Sequence, residues 1–224
     1  MPREVYYQHL RALQESLMAM GSQVDAVIGR AVQALANRDA ALAREIVADD
    51  VLINQAQREI EEQCLILIAT QQPLAGDLRT IMAISTIAYE LERMADHAEG
   101  IAKITLRLAE EPLLKPLVDI PRMAELSRTM LREQLTAFAN RDAGTARRMA
   151  ELDEEVDRLY DQLFRELLIF MMNDPRTITR ATYLLWVAHN LERIADRTTN
   201  IGERVVFLTT GLIEELNVKR PEPG

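Results

Sequence analysis

The chain has one cysteine, eight glycines and only 4% aromatic residues in 224 positions. Cys64 alone cannot close an internal disulfide, so nothing points to an oxidising compartment. It lies in the run Cys64-Leu65-Ile66-Leu67-Ile68, where it reads as a small buried hydrophobe. So few glycines and aromatics argue against a sandwich or a barrel. Long apolar runs are missing as well. The longest, Cys64–Ala69 and Leu167–Met172, fall far short of the roughly 20 residues a membrane helix needs. The N-terminus, Met1-Pro2-Arg3-Glu4-Val5, lacks the apolar core of a secretory signal. These absences predict a soluble, cytoplasmic protein that reaches a membrane only through a partner. A basic excess is also absent: the net charge is −9 and the pI about 5.0, which argues against a nucleic-acid binder. There is no Gly-rich phosphate loop and no Gly-x-Ser-x-Gly elbow. No histidine follows a glutamate by three residues, so the Glu-x-x-His pair of di-iron bundles is missing too.

What remains is rich in Leu, Ala, Glu and Arg, the composition of helical bundles. Apolar residues recur at three- and four-residue steps, as in Leu10, Leu13, Leu17, Met20, Val24, Val27, Ala31 and Ala34. Near the other end the series is Leu184, Val187, Leu191, Ile194, Thr198, Ile201, Val205 and Leu208. Such seams suit long helices packed at shallow angles. Trp186, Tyr183 and the methionines, Met82 and Met172 included, read as packing residues.

The chain also repeats itself. Tyr89-Glu90-Leu91-Glu92-Arg93-Met94-Ala95-Asp96-His97 returns as His189-Asn190-Leu191-Glu192-Arg193-Ile194-Ala195-Asp196-Arg197. Asn37-Arg38-Asp39 returns as Asn140-Arg141-Asp142, each a stop followed by an N-cap aspartate. The turn at Pro73 is matched by Asn173-Asp174-Pro175. The pattern predicts an all-α fold of two tandem, sequence-related three-helix bundles. Residues 1–110 form the first, 111–121 a proline-bearing linker, 122–217 the second, and 218–224 a disordered tail. The six expected helices span about 5–36, 39–70, 73–110, 122–139, 142–172 and 175–217, and the two bundles are expected to pack on each other.

Each motif copy places two carboxylates at i,i+4, Glu92 with Asp96 and Glu192 with Asp196, and no Lys or Arg stands in the pairing slot. Like charges at that spacing cost a few tenths of a kcal/mol. Paying that cost twice suggests a cation or a partner that offsets it. At 100° per residue both acids stand on the outer flank of the seam. Asn200 and Glu203 extend the second stripe. Asp153 and Asp157 form a further acid pair on the preceding helix, with Asp50 and Asn54 as first-half counterparts. Adjacent helices would thus gather oxygen donors from Glu92, Asp96, Asp153, Asp157, Glu192, Asp196 and Asn200. Oxygen-only donors suit Mg²⁺, Mn²⁺, Ca²⁺ or iron, and zinc stays among the possible metal ions. Against this, Arg93 and Arg193 stand three residues before Asp96 and Asp196 and could make ordinary exposed ion pairs. His97 could join the site, while His9 and His189 read as structural or solvent-facing.

These residues resemble the PhoU family, proteins of phosphate transport and phosphate-regulon control. The likeness rests on the doubled Leu-Glu-Arg-[Met/Ile]-Ala-Asp block, on Asp153-Glu154-Glu155-Val156-Asp157-Arg158-Leu159-Tyr160 and on the two Asn-Arg-Asp turns. It covers about residues 5–215. It implies a pair of three-helix bundles without enzymatic activity that holds the phosphate-starvation response off when phosphate is plentiful. The implied partners are the ATPase subunit of the high-affinity phosphate ABC transporter and a sensor histidine kinase. Metal ions on the acidic motif and a homodimer are implied as well. The family signature falls on Glu92 and Asp96, and on Glu192, Asp196 and Asn200. The first copy departs from the pattern, with Gly100 opposite Asn200 and Lys103 opposite Glu203, so metal is expected more in the second half. An accessory protein of another phosphate transporter, or a metal-binding or redox bundle, are the alternatives.

Overall fold

A computed structural model describes residues 2–216, with side chains from Glu4 onward. The expected disordered tail, 218–224, lies outside the described residues. Helix α1 spans Pro2–Asn37, α2 Ala40–Gln71 and α3 Ala75–Leu108. After an irregular stretch follow α4 (Asp119–Asn140), α5 (Ala143–Ala150), α6 (Asp153–Asn173) and α7 (Ile178–Thr210). There is no strand among the described residues. The fifth expected helix is thus two, α5 and α6, separated by a turn at Glu151-Leu152. Together they take the place that α2 holds in the first half.

The repeated turns are built alike. Arg38 and Arg141 both adopt φ 53°, ending α1 and α4 in the left-handed region. Asp39 N–H then donates to Ala34 O (2.8 Å) and Asp142 N–H to Ala137 O (2.9 Å), the six-to-one bond of a Schellman ending. The next helix starts at once, because Asp39 accepts from the N–H groups of Ala41 and Leu42 and Asp142 from that of Thr145, all at 3.0 Å. At the far end the expected last helix, 175–217, is shorter. Pro175–Thr177 form a 3₁₀ turn. Gly211 at φ 77° stops α7, its N–H bonding to Phe207 O. Residues 212–216 turn back along the bundle, where Glu214 grips Arg147 in a bidentate pair (2.7 and 2.9 Å) and Leu216 N–H reaches Glu203 Oε1 (3.0 Å).

Both seam series are buried throughout, and their apolar residues belong to one continuous core that runs through both halves. The halves meet where α3 packs on α7 and α1 on α4, while α2 packs against α1 and α3. Cys64 is buried in α2 as expected, and burial pushes its thiol up to about 12. Two expectations fail: Met82 and Met172 are exposed, Met172 at 82%. Trp186 is 49% exposed, and its ring meets Tyr183 of the same helix edge-on at 5.5 Å.

The α1–α4 contact joins residues at matching places in the repeat. Asp25 and Arg128 stand 103 positions apart, as Asn37 and Asn140 do. The Arg128 guanidinium donates to both Asp25 carboxylate oxygens (3.0 and 2.9 Å), and its Nε also reaches Asp25 O (3.1 Å). In two identical units such a contact would oppose like groups; here the halves have diverged to opposite charges. Removing Arg128 takes every short contact from a carboxylate that is 18% exposed and leaves it Arg132 at 3.5 Å. Arg128→Ala is therefore expected to lower the unfolding free energy by about 1–3 kcal/mol in urea titrations. Asp25→Ala should add much less in that background than alone; full additivity would show the pair to be energetically idle.

Candidate functional site

Both motif copies sit mid-helix, in α3 and α7, where these helices cross. Glu90 accepts from Arg197 at 3.0 Å, and His97 Nδ1 meets Asn190 Oδ1 at 2.9 Å. Position two of each motif thus meets position nine of the other, which makes the helices antiparallel and the contact two-fold in character. Glu90 is buried. Burial holds the His97 imidazole below its ordinary pKa, partly opposed by the Asn190 contact. His97 therefore belongs to the interface between halves, not to an acidic site. Sequence reading passed over Glu90 and Asn190. The signal was there: positions 90 and 97 stand seven apart, on the seam side with Leu91 and Met94.

The carboxylates occupy the opposite flank of the same helices. In the first half Glu92 and Asp96 of α3 face Asp50 and Asn54 of α2, where Asn54 donates to Asp50 at 2.8 Å. Burial raises the Asp50 carboxyl, and repulsion by Glu99 and Asp96 adds to the rise. Burial likewise raises Glu92, with Asp96 next in effect and Arg93 opposing. In the second half burial raises Glu192, Asp196 adds to it, and Asp157 of α6 contributes further. The two-helix convergence read from the repeat is therefore present in both halves. Asp153 is buried, and Asp157 and Asn200 are half-buried. One oxygen of Glu92 and one of Glu192, Oε2 in each, are buried without a hydrogen bond.

Arginines moderate this charge. Arg93 spans Glu92 (3.2 Å) and Asp96 (2.8 Å), and Arg193 pairs with Asp196. His189, exposed and beside Tyr160, stands 3.4 Å from Glu192. Lys103 is drawn to Glu99 at 2.6 Å, and Glu203 turns to the segment after Gly211. The second stripe is the more enclosed: Glu192 and Asp196 side chains are each 14% exposed, against 17% and 35% for Glu92 and Asp96. The donor chemistry suits a hard cation. As the side chains stand, however, no group of three or more His, Cys, Asp or Glu among the described residues is placed to hold a metal ion.

A family model described as PhoU domain matches residues 17–105 and again 120–205. The chain belongs to the PhoU family. It is 40% identical over 205 residues to a phosphate-specific transport system accessory protein PhoU homolog of Rhizobium meliloti, covering 91% of this chain and 86% of that one. The homolog of Aquifex aeolicus is 41% identical, with 92% and 94% covered. Among solved structures, PhoU from Pseudomonas aeruginosa superposes with a TM-score of 0.89 at 37% identity, covering 92% of this chain and all of that one. The phosphate transport system regulatory protein PhoU from Streptococcus pneumoniae gives 0.87, also at 37%, covering 93% and 99%. The PhoU resemblance and the all-α fold of two related helical units stand.

The raised carboxyls make a pH prediction for the metal-free protein. Asp50, Glu92 and Glu192 bind protons more tightly folded than unfolded, so their contribution favours folding below the ordinary carboxylate range. It is lost as pH rises through their raised values. At pH 7 they therefore work against the fold, and Glu92→Gln with Glu192→Gln should stabilise it by about 0.3–0.5 kcal/mol per site, the size of a relieved like-charge pair. The gain should vanish near pH 4. Urea midpoints with chelator present measure it; equal or lower stability of the double variant at pH 7 would contradict the assignment.

Proposed function

We propose that this PhoU-family chain is an accessory protein of a phosphate-specific transport system and a negative regulator of the phosphate-starvation response and of phosphate uptake. It acts in the cytoplasm as an adaptor, not an enzyme, between the ATPase subunit of a phosphate ABC transporter and a sensor histidine kinase. The observation that carries this reading is the likeness over nine-tenths of the chain to proteins named as accessory or regulatory in phosphate transport. Among the described residues no helix is long and apolar enough to cross a membrane, which suits an adaptor that meets the transporter at its ATPase. Deleting the gene is expected to switch on starvation genes in phosphate-rich medium, read as alkaline phosphatase activity, and the wild-type gene should restore silence. Silent starvation genes in the deletion strain would overturn the reading.

The acidic stripes are proposed to take hard metal ions, among them iron, Mg²⁺ or Mn²⁺, most of all in the second half. Glu192, Asp196, Asp153, Asp157 and Asn200 would supply the donors there, with Glu92 and Asp96 in the first half. The raised carboxyls and the two buried glutamate oxygens without hydrogen bonds support this. An ion would have to win the aspartates from Arg93 and Arg193. Elemental mass spectrometry on untagged protein purified without chelators should find stoichiometric metal, lost in Asp96→Asn/Asp196→Asn. An equal, trace content in both proteins would leave the stripes as ion-paired surfaces. A homodimer is part of the same proposal and is read by light scattering.

A further inference from the structure

The α2–α3 hairpin leaves a cleft of about 480 Å³ whose lining includes Gln57, Glu61, Thr86, Tyr89, Glu92 and Arg93. The repeat allows the same place to be read in the second half. With Asp50 matching Asp153, and Glu92 matching Glu192, the counterparts of Gln57, Glu61, Thr86 and Tyr89 are Tyr160, Phe164, Trp186 and His189. The Tyr160 and His189 rings stand 6.3 Å apart, and Phe164 and Trp186 are exposed. The Glu-Arg pair is thus shared by both halves, but its surroundings are polar and open in one and aromatic in the other.

Three features of the first-half cleft select a positively charged guest. Glu92 Oε2 is buried there, met by Arg93 Nε at 3.2 Å but outside hydrogen-bond geometry, so it can still accept from a well-aligned donor. Glu61 stands across the cleft on α2, steadied by Gln57 at 3.1 Å. Arg93 is already committed to Glu92 and Asp96 and lies over the Tyr89 ring, 5.4 Å from its centroid. Asp50 and Asp96 deepen the negative potential at Glu92, and the whole chain carries a charge of −9. The volume is far larger than one ion needs and suits an amino-acid side chain. A planar guanidinium fits a carboxylate with two parallel hydrogen bonds and stacks on an aromatic face; the cleft's own Arg93 already shows the second contact, over Tyr89.

We propose that this cleft is a recognition site for an arginine side chain presented by a protein partner, and that the second half, its equivalent place lined by Phe164 and Trp186, does not share it. The test is a backbone-amide NMR titration of the ¹⁵N-labelled full chain, in chelator so that no metal competes. N-acetyl-arginine amide is the probe and N-acetyl-citrulline amide its neutral control. The expected result is saturable shifts at Gln57, Glu61 and residues 85–93, absent with citrulline. Glu61→Gln and Thr86→Trp should each weaken binding at least about tenfold, which is about 1.4 kcal/mol. Thr86→Trp fills the cleft with the second half's own residue and leaves the acidic motif intact, so its effect is separate from any metal site. Equal shifts with arginine and citrulline, or an unchanged titration in Thr86→Trp, would overturn the proposal.

Discussion

Everything in this molecule hangs on the crossing of α3 and α7. The two motif helices each carry a long buried series on one side. Their contact closes with two polar links, Glu90 to Arg197 and His97 to Asn190. Buried polar groups are costly unless paired, so each link excludes registers in which its members would be left alone. A slide of one helical turn along the seam would keep much of the apolar contact and break both links. The apolar faces supply the attraction, and the polar pairs select one alignment. The α1–α4 contact adds a third alignment device in Asp25 and Arg128, so the two halves are pinned on separate helix pairs.

The same crossing places the acidic stripes. With the inner face of α3 and α7 committed to each other, the flanking positions 92, 96, 192 and 196 must face α2 and α6. Those helices carry acids of their own, so negative charge gathers in two partly buried strips. The molecule tolerates this by interleaving arginines one residue after each glutamate and three before each aspartate. Arg93 spans both of its acids. This compromise leaves one glutamate oxygen per half buried and short of a hydrogen bond, the kind of residual tension expected where a partner or ion is accommodated.

Much of the fold was legible because helical periodicity and turn chemistry are local. The Asn-Arg-Asp turns were readable since a left-handed arginine followed by a capping aspartate needs only neighbouring backbone. Gly211 was a readable stop as well, a glycine free to take positive φ after the last buried Leu208, yet the apolar pattern beyond it hid the signal. The turn at Glu151-Leu152 had no such mark: both residues keep right-handed helical angles, and the break lies in tighter bonds, Leu152 N–H to Met149 O and Glu155 N–H to Leu152 O. Met82 and Met172 misled for a related reason. Size and apolarity suggest burial, but nothing in a single chain tells which side of a helix is left without a neighbour.

The sequence by itself determined the helices, the duplication and the family, because repeats, caps and 3.6-residue seams are written in consecutive residues. It also determined that carboxylates would line one flank of each motif helix. Tertiary structure alone decided that the motif copies face each other antiparallel, that His97 serves the seam and not the acids, and that Asp25 meets its own counterpart. Those outcomes depend on contacts between residues about a hundred positions apart. Whether such side chains meet is settled by how two whole helical faces nest, a cooperative fit that no local pattern encodes.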